Sequence, residues 1–179
     1  ASAAATGWAG ERRSFVALGL HRARTLRDVL DVGAQVLGVP LPDTQDDHVA
    51  LGWFGERLSA LGEAIVVLDN LEQIVDLMLR ALPVWLRAAP RPRFLCTSRR
   101  PLRLPDEVAY PVEPLTTGAD GDAVRLLLAC ARAGGLEADA RDLDDVCAIA
   151  ARLDGIPLAL ELAAARLGVH VQTIGRIEA

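Results

Sequence analysis

Short apolar runs alternate with longer segments of helical periodicity over the first two thirds of the chain. Short runs of this kind favour buried strands over helices, and they occur at residues 14–20, 64–69 and 93–98. Between them, apolar residues recur every three or four positions, which predicts amphipathic helices over residues 26–37, 51–61 and 74–86. Strands that alternate with helices in this way predict a parallel sheet with right-handed crossovers.

Two prolines, Pro83 and Pro111, interrupt the predicted helices and strands. Pro83 falls inside the third predicted helix, where we expect it to kink or restart the helix because proline lacks a backbone N–H. Residues 108–112, with the sequence Val-Ala-Tyr-Pro-Val, predict only a weak further strand, since proline cannot donate to a sheet.

The pattern changes after Pro114, where strands stop and helices dominate. Helices are predicted over residues 120–133, 139–153 and 156–167, the first of them capped by Asp120. The sequence therefore predicts the α/β class, with a parallel sheet and flanking helices followed by a small helical domain. The corresponding segments are a loose N-terminal segment at residues 1–13, an α/β core at 14–114 and a helical subdomain at 115–179.

Composition is consistent with packed domains. The chain has 179 residues, 51% of them hydrophobic and 24% charged, which is enough apolar material for a core. The formal net charge of −5 is opposite in sign to that of typical nucleic-acid modules, so we expect no direct nucleic-acid binding by this chain.

Location and redox state are also predicted. No apolar run approaches the roughly 20 residues that span a bilayer, and the first residues have no signal-peptide pattern. Cys96, Cys130 and Cys147 lie far apart in apolar surroundings without a CxxC pair. We expect reduced core thiols, no membrane partner and a cytoplasmic protein.

The strand at residues 64–69 ends in a carboxylate, Asp69. Ligand-binding groups of α/β proteins lie at the carboxyl ends of parallel strands, and an Asp there can hold the Mg²⁺ that bridges nucleotide phosphates. The alternative is that Asp69 only caps the following helix. The residue pattern by itself leaves both interpretations open.

Two charged residues near the predicted strand ends, Glu72 and Arg99, can likewise each be given a functional or a structural interpretation. Glu72 could polarise an attacking water, or it could be an acidic residue of a first helical turn. Arg99, which follows Thr97 and Ser98, could bind a phosphate bidentately, or it could be a solvated arginine. Position alone favours the ordinary structural role for each.

A helix stop is followed at once by a helix start at residues 153–160, Leu-Asp-Gly-Ile-Pro-Leu-Ala-Leu. Gly155 suits the end of one helix, and Pro157 suits the first position of the next. This is either common helix punctuation or a rigid turn that presses against a nucleotide base.

Taken in order, these segments resemble the STAND NTPases, and most of all the NB-ARC-like ATPase core of bacterial signal-transducing transcription regulators. VVLDNLEQIVD looks like that family's Walker B segment, and RFLCTSRRPLRLPDEVAYPVEPL looks like its sensor-1 strand and loop. LDGIPLALELAAARL looks like the GLPLA motif, with Ile156 in place of the first Leu. The resemblance covers roughly residues 14–168 and implies a P-loop NTPase-like fold.

The resemblance implies a site for ATP or ADP with Mg²⁺. Asp69 would coordinate the Mg²⁺, Glu72 would be an accessory acid, and Arg99 would be the sensor arginine that contacts the phosphates. The nucleotide-binding residues would be Asp69, Asn70, Arg99, Gly155, Pro157 and Leu158. Pro157 would pack against adenine. In such a switch, ADP holds a closed state and ATP favours an open one.

The family's phosphate-binding Walker A motif is missing. Residues 1–13 contain Gly7 and Gly10 but no Gly-Lys-Ser/Thr, so the predicted NTPase-like sheet is incomplete at its N-terminus. We expect a truncated or degenerate switch with weak or no nucleotide binding, which is not a competent ATPase alone. The alternative is a non-catalytic scaffold with protein partners or self-association. An unrelated hydrolase has no support, because the chain lacks a G-x-S-x-G motif and its three histidines stand apart.

Overall fold

A computed structural model describes residues 14–135 and 143–166. The chain forms two compact units, with the division between Ala109 and Tyr110. The N-terminal segment predicted at residues 1–13 lies outside the described residues, as do the start of the helix predicted at 139–153 and the end of the one predicted at 156–167.

The first unit contains a three-stranded parallel sheet, in agreement with the predicted α/β class. Its strands lie in the order β1–β2–β3 and are β1 (Ser14–Gly19), β2 (Ala64–Asp69) and β3 (Arg93–Cys96). Val16 pairs with Val66, which pairs with Phe94. The carboxyl ends of all three strands therefore lie at one edge of the sheet.

Three helices connect these strands, namely α1 (Leu26–Leu37), α2 (Asp47–Ser59) and α3 (Val75–Ala88). Thr25 caps α1 in a capping box with Asp28. Asp46 caps α2, and its side chain accepts from the amide of His48 at 2.8 Å. This cap begins α2 four residues before the predicted start. The first turn adds little to the apolar period, because Val49 is exposed and only the small Ala50 is buried.

Helix α3 runs through Pro83 as one element, so of the two effects predicted for this proline, a kink or a restart, the restart does not occur. Leu82 and Trp85, on either side of the proline, are almost fully buried. Their burial holds both halves of α3 against the same core. Packing therefore outweighs the backbone hydrogen bond that proline cannot make.

The helices pack on one face of the sheet. On that face Val16, Leu18, Val66 and Leu68 are buried against one cluster of side chains from all three helices, which includes Leu30, Phe54, Leu58, Met78, Leu82 and Trp85. The Phe54 and Trp85 rings meet edge to face at 4.9 Å, and Trp85 Nε1 donates to the Leu51 carbonyl oxygen at 3.2 Å. Gly33 lies directly against the Phe54 ring, where a Cβ would overlap it.

Among the described residues, no helix packs on the opposite face of the sheet in this way. We call it the open face, and its residues are Phe15, Ala17, Ile65, Val67 and Leu95. Phe15 is 53% exposed and Leu95 is 56% exposed. None of these five residues belongs to the core cluster of the first unit.

Two predictions about the chain after β3 are wrong. Residues 108–112 form no strand, and Val108, Tyr110 and Val112 are 87–91% exposed. Pro111 cannot donate to a sheet, and no described strand pairs with this segment. Strand β3 itself ends at Cys96, so Thr97 and Ser98 lie beyond the strand predicted to include them.

The second unit is helical, as predicted, with α4 (Asp122–Ala133), α5 (Leu143–Arg152) and α6 at residues 157–166. Its core comprises Ala123, Val124, Leu127, Ala150, Leu160 and Ala164. Helix α4 is capped by Gly121 rather than by the predicted Asp120. The Thr116 hydroxyl accepts from the Asp122 amide at 3.1 Å, and a Cβ at Gly121 would overlap the Thr116 carbonyl oxygen.

The cysteines are free and partly buried. Cys96 packs against the first core, whereas Cys130 and Cys147 pack against the second. Burial, and secondarily the charge of Glu107, raises the pKa of the Cys96 thiol to about 11. His21 and His48 are exposed. Among the described helices, none combines the length and apolar character needed to cross a membrane.

The one-sided core predicts opposite outcomes for two phenylalanines. We expect Phe54→Ala to lower the free energy of unfolding by about 3 to 5 kcal/mol, because it opens a cavity against Trp85. The control Phe15→Ala, at a side chain 53% exposed, should cost less than about 1 kcal/mol. Urea unfolding followed by circular dichroism measures both, and equal costs would contradict the assignment of the two faces.

Candidate functional site

Thr97 joins the carboxyl ends of β2 and β3. Leu68 pairs with Cys96 in the sheet, so the next residues along each strand, Asp69 and Thr97, lie side by side. The Thr97 hydroxyl donates to Asp69 Oδ1 at 2.6 Å and accepts from the Asn70 amide at 2.9 Å. A single hydroxyl therefore fixes both the carboxylate and the residue that follows it.

Backbone hydrogen bonds continue the sheet around this hydroxyl. The Thr97 amide donates to the Leu68 carbonyl at 3.0 Å, and the Leu71 amide donates to the Thr97 carbonyl at 3.1 Å. Asn70 lies between them with φ at 68°, in the left-handed region that asparagine tolerates better than most residues. The chain thus turns sharply away from β2 immediately after Asp69.

The Asp69 carboxylate is exposed at this edge. Thr97 engages Oδ1, and within the described ranges no donor is recorded for Oδ2. Magnesium takes one or two carboxylates and completes its octahedron with waters and substrate phosphates. Asp69 suits that role as a single protein ligand. In the described part of the chain, no three His, Cys, Asp or Glu side chains cluster as a metal site of their own.

Glu72 and Arg99 form a loose ion pair close to Asp69 in the chain. Arg99 Nε lies 3.9 Å from Glu72 Oε1, which is longer than a hydrogen bond. The Glu72 side chain is 25% exposed, and its Oε2 is buried without a hydrogen-bond partner among the described residues. The Arg99 side chain is 89% exposed. Because the Arg99 side chain lies mostly in solvent and the contact is longer than a hydrogen bond, the pair contributes little to stability and leaves Arg99 able to bind an anion.

The turn between α5 and α6 belongs to the second unit. Gly155 has φ at 62°, and its carbonyl accepts from the Leu115 amide at 2.9 Å. A Cβ at Gly155 would overlap the Leu115 carbonyl oxygen, so glycine is required by both conformation and space. Pro157 is the first residue of α6, and Leu158 is 64% exposed. The turn is therefore fixed and presents an apolar side chain to solvent.

The structure brings four of the predicted site residues to one sheet edge, namely Asp69, Asn70, Glu72 and Arg99. It places Gly155, Pro157 and Leu158 in the second unit. Sequence reasoning assigned no role to Thr97, although a hydroxyl directly after the neighbouring strand was a usable signal. It also missed Leu115, whose contact with Gly155 joins positions 40 residues apart and leaves no local pattern.

Comparison with known proteins finds similarity to mycobacterial proteins. The chain is 36% identical over 104 residues to an uncharacterized protein of Mycobacterium tuberculosis, Rv0894, and the match covers 57% of this chain and 26% of the relative. It is 34% identical over 105 residues to "Putative HTH-type transcriptional regulator Rv0890c" of the same species, covering 58% of this chain and 12% of that protein. The chain spans about a quarter or less of the length of these relatives.

Two other comparisons give no match. No family model matches the chain. No solved structure matches it with significance. The α/β architecture described above therefore rests on the strand order, the register and the core of this chain.

The Thr97 hydroxyl gives a direct test of this site's geometry. We expect Thr97→Val to destabilise the first unit by about 1 kcal/mol and to speed hydrogen exchange at the Asn70 amide, because valine removes its acceptor. The control Thr97→Ser keeps the hydroxyl and should retain slow exchange. Exchange followed by NMR that is equally fast in both variants would show that the hydroxyl does not hold Asn70.

Proposed function

We propose that this chain is a degenerate nucleotide-switch core of a bacterial signal-transducing transcription regulator, of the STAND class, that binds Mg²⁺–nucleotide weakly. The observation that supports it is the sheet edge where Thr97 holds Asp69 and where Glu72 lies beside Arg99. Ligands of α/β proteins bind at the carboxyl ends of parallel strands, and this group lies at those ends.

The group has the chemistry for phosphates. Asp69 offers a fixed carboxylate to the Mg²⁺ that accompanies a nucleotide, with Asn70 beside it. Arg99, held only loosely by Glu72, can form charge-assisted hydrogen bonds to phosphate oxygens. Glu72 would then lose its cation, which couples phosphate binding to a change in the environment of a partly buried carboxylate.

The phosphate-binding groups in the sequence also explain why we propose weak binding. The sequence has no Gly-x-x-x-x-Gly-Lys-Ser/Thr segment, whose backbone amides and lysine usually bind the phosphates. A single Mg²⁺ carboxylate and an exposed arginine supply only part of that energy. We therefore propose binding without efficient hydrolysis, so that the chain is not a competent ATPase alone.

The regulatory role is proposed from the relatives. One mycobacterial protein to which the chain is similar has a name that describes a transcriptional regulator. In our proposal the present chain supplies the switch, and Gly155, Pro157 and Leu158 contribute the base-contacting turn by resemblance. Protein partners receive its signal. The net charge of −5 predicts that this chain does not itself bind nucleic acid.

The second candidate function is a non-catalytic interaction scaffold. The open face favours it, because Phe15 and Leu95 expose more than half of their surface on a parallel sheet. Parallel sheets are usually covered on both faces. On this hypothesis the sheet edge at Asp69 would be retained for stability alone.

Titration calorimetry distinguishes the two functions. We expect MgADP and MgATP to bind with Kd near 1 mM, about −4 kcal/mol, rather than the micromolar affinity of an intact site. Asp69→Asn should weaken this binding at least about fivefold, since it removes the Mg²⁺ carboxylate. Asp43→Asn, at an exposed loop carboxylate, is the matched control and should leave binding unchanged.

Two results would contradict the proposal. Failure of the folded wild-type chain to bind either nucleotide with Mg²⁺ would favour the scaffold. Binding that persists unchanged in folded Asp69→Asn would place the nucleotide elsewhere.

A further inference from the structure

A cavity that is open to solvent lies between the helices of the first unit. It has a volume of about 190 Å³, and Leu26 of α1, Leu51 of α2 and Ala81 of α3 each form part of its wall. None of its lining residues belongs to the group at the sheet edge around Asp69. The cavity is therefore a candidate site that is separate from the proposed nucleotide site.

The floor of the cavity is apolar and belongs to the packed part of the unit. Leu26 and Ala81 are buried members of the first core, whereas Leu51, Leu77 and Val84 pack against that core and remain partly exposed. The three α3 residues of the floor share one side of their helix, because they are spaced four and three positions apart. An aliphatic group placed here buries apolar surface on a floor that is already formed.

The rim of the cavity carries two opposite charges. Asp47 of α2 and Arg80 of α3 both line it and are both exposed, and His48 lies next to Asp47. Among the described residues, no ion pair joins Asp47 to Arg80, so the two charges border one space without touching each other. A simple anion or cation would match only one of them. A molecule that carries both charges matches the pair.

We propose that this cavity binds a free apolar α-amino acid of about the size of leucine. The ammonium group lies against Asp47, the carboxylate lies against Arg80, and the aliphatic side chain rests on the apolar floor. Arginine suits the carboxylate because its guanidinium group can donate two parallel hydrogen bonds, and the His48 imidazole can donate another.

The volume of the cavity supports a ligand of this size. Sites for drug-sized ligands measure roughly 300 to 1,000 Å³, and the cavity at about 190 Å³ is smaller than these. A nucleotide is therefore too large for it, whereas a single amino acid is not. This separates the ligand class of the cavity from that of the sheet edge.

The exposure of the two charges predicts weak but selective binding. Exposed ion pairs contribute little affinity, so most of the binding energy comes from burial of the aliphatic side chain. The charges instead decide which of several aliphatic molecules binds best. We expect a Kd near 1 mM for leucine and a loss of roughly threefold when either charge of the ligand is removed.

NMR titration of the full chain tests the proposal with leucine, leucinamide and N-acetylleucine as probes. Leucinamide lacks the carboxylate, and N-acetylleucine lacks the ammonium group. Leucine should shift the indole N–H signal of Trp85, because this group donates to the carbonyl of Leu51 in the cavity wall. It should bind roughly threefold more tightly than either analogue.

Two substitutions at exposed residues separate the roles of the charges. Asp47→Asn should abolish the preference for leucine over N-acetylleucine and keep the preference over leucinamide, and Arg80→Gln should do the reverse. Both variants should fold, since surface substitutions of this kind change stability little. Arg87→Gln, at an exposed residue of α3 that does not line the cavity, is the matched control and should leave all three affinities unchanged.

Four results would overturn the proposal. The Trp85 signal could stay unchanged at millimolar leucine, or the three probes could bind the wild-type chain equally well. Preferences that persist in both variants would place the amino acid elsewhere. Tighter binding of leucinamide than of leucine would assign the cavity to the amino end of a peptide instead. None of these measurements uses nucleotide, so their outcome is independent of the proposed switch.

Discussion

The parallel pairing of β2 with both of its neighbours is the constraint on which the rest of the structure depends. Because the three strands are parallel, Asp69 and Thr97 lie next to each other at the same edge of the sheet. The 2.6 Å hydrogen bond between them follows from that register, and so does the turn at Asn70. A shift of register by one residue would send alternate side chains to the other face and separate this pair.

The same pairing also produces the asymmetry of the first unit. Successive right-handed crossovers commit every described helix of the unit to one side, where Phe54, Trp85 and the buried strand residues form a single core. The other side remains apolar and exposed at Phe15 and Leu95. One topological rule thus accounts for both the well-packed core and the exposed apolar face.

Much of the fold could be predicted from sequence because the relevant signals are local. The strand at residues 64–69 is marked by its apolar run, and α1 by its period and by the cap at Thr25. The true start of α2 was missed because the turn after its cap at Asp46 buries only the small Ala50 and so adds little to the apolar period. The strand expected at residues 108–112 failed because a strand needs a neighbour, which no local pattern supplies.

The candidate site was predictable in part for the same reason. Asp69 and Arg99 each follow an apolar run, so their place at the sheet edge could be read from the chain. The role of the Thr97 hydroxyl could not be predicted, because it depends on the pairing of β2 with β3. That pairing brings Thr97 to Asp69, 28 residues earlier in the sequence. The pairing of Glu72 with Arg99 is likewise a tertiary contact.

A nucleotide switch in this chain requires that nucleotide binds at the edge of the sheet where β2 and β3 end. NMR spectra of the ¹⁵N-labelled chain, recorded as MgADP is added to millimolar concentration, resolve the answer residue by residue. We predict that the amide signals of Asn70, Thr97 and Arg99 shift progressively, while those of the covered core, such as Leu30 and Phe54, do not. Shifts confined to other parts of the chain, or an unchanged spectrum, would contradict the assignment of the β2–β3 edge as a nucleotide site.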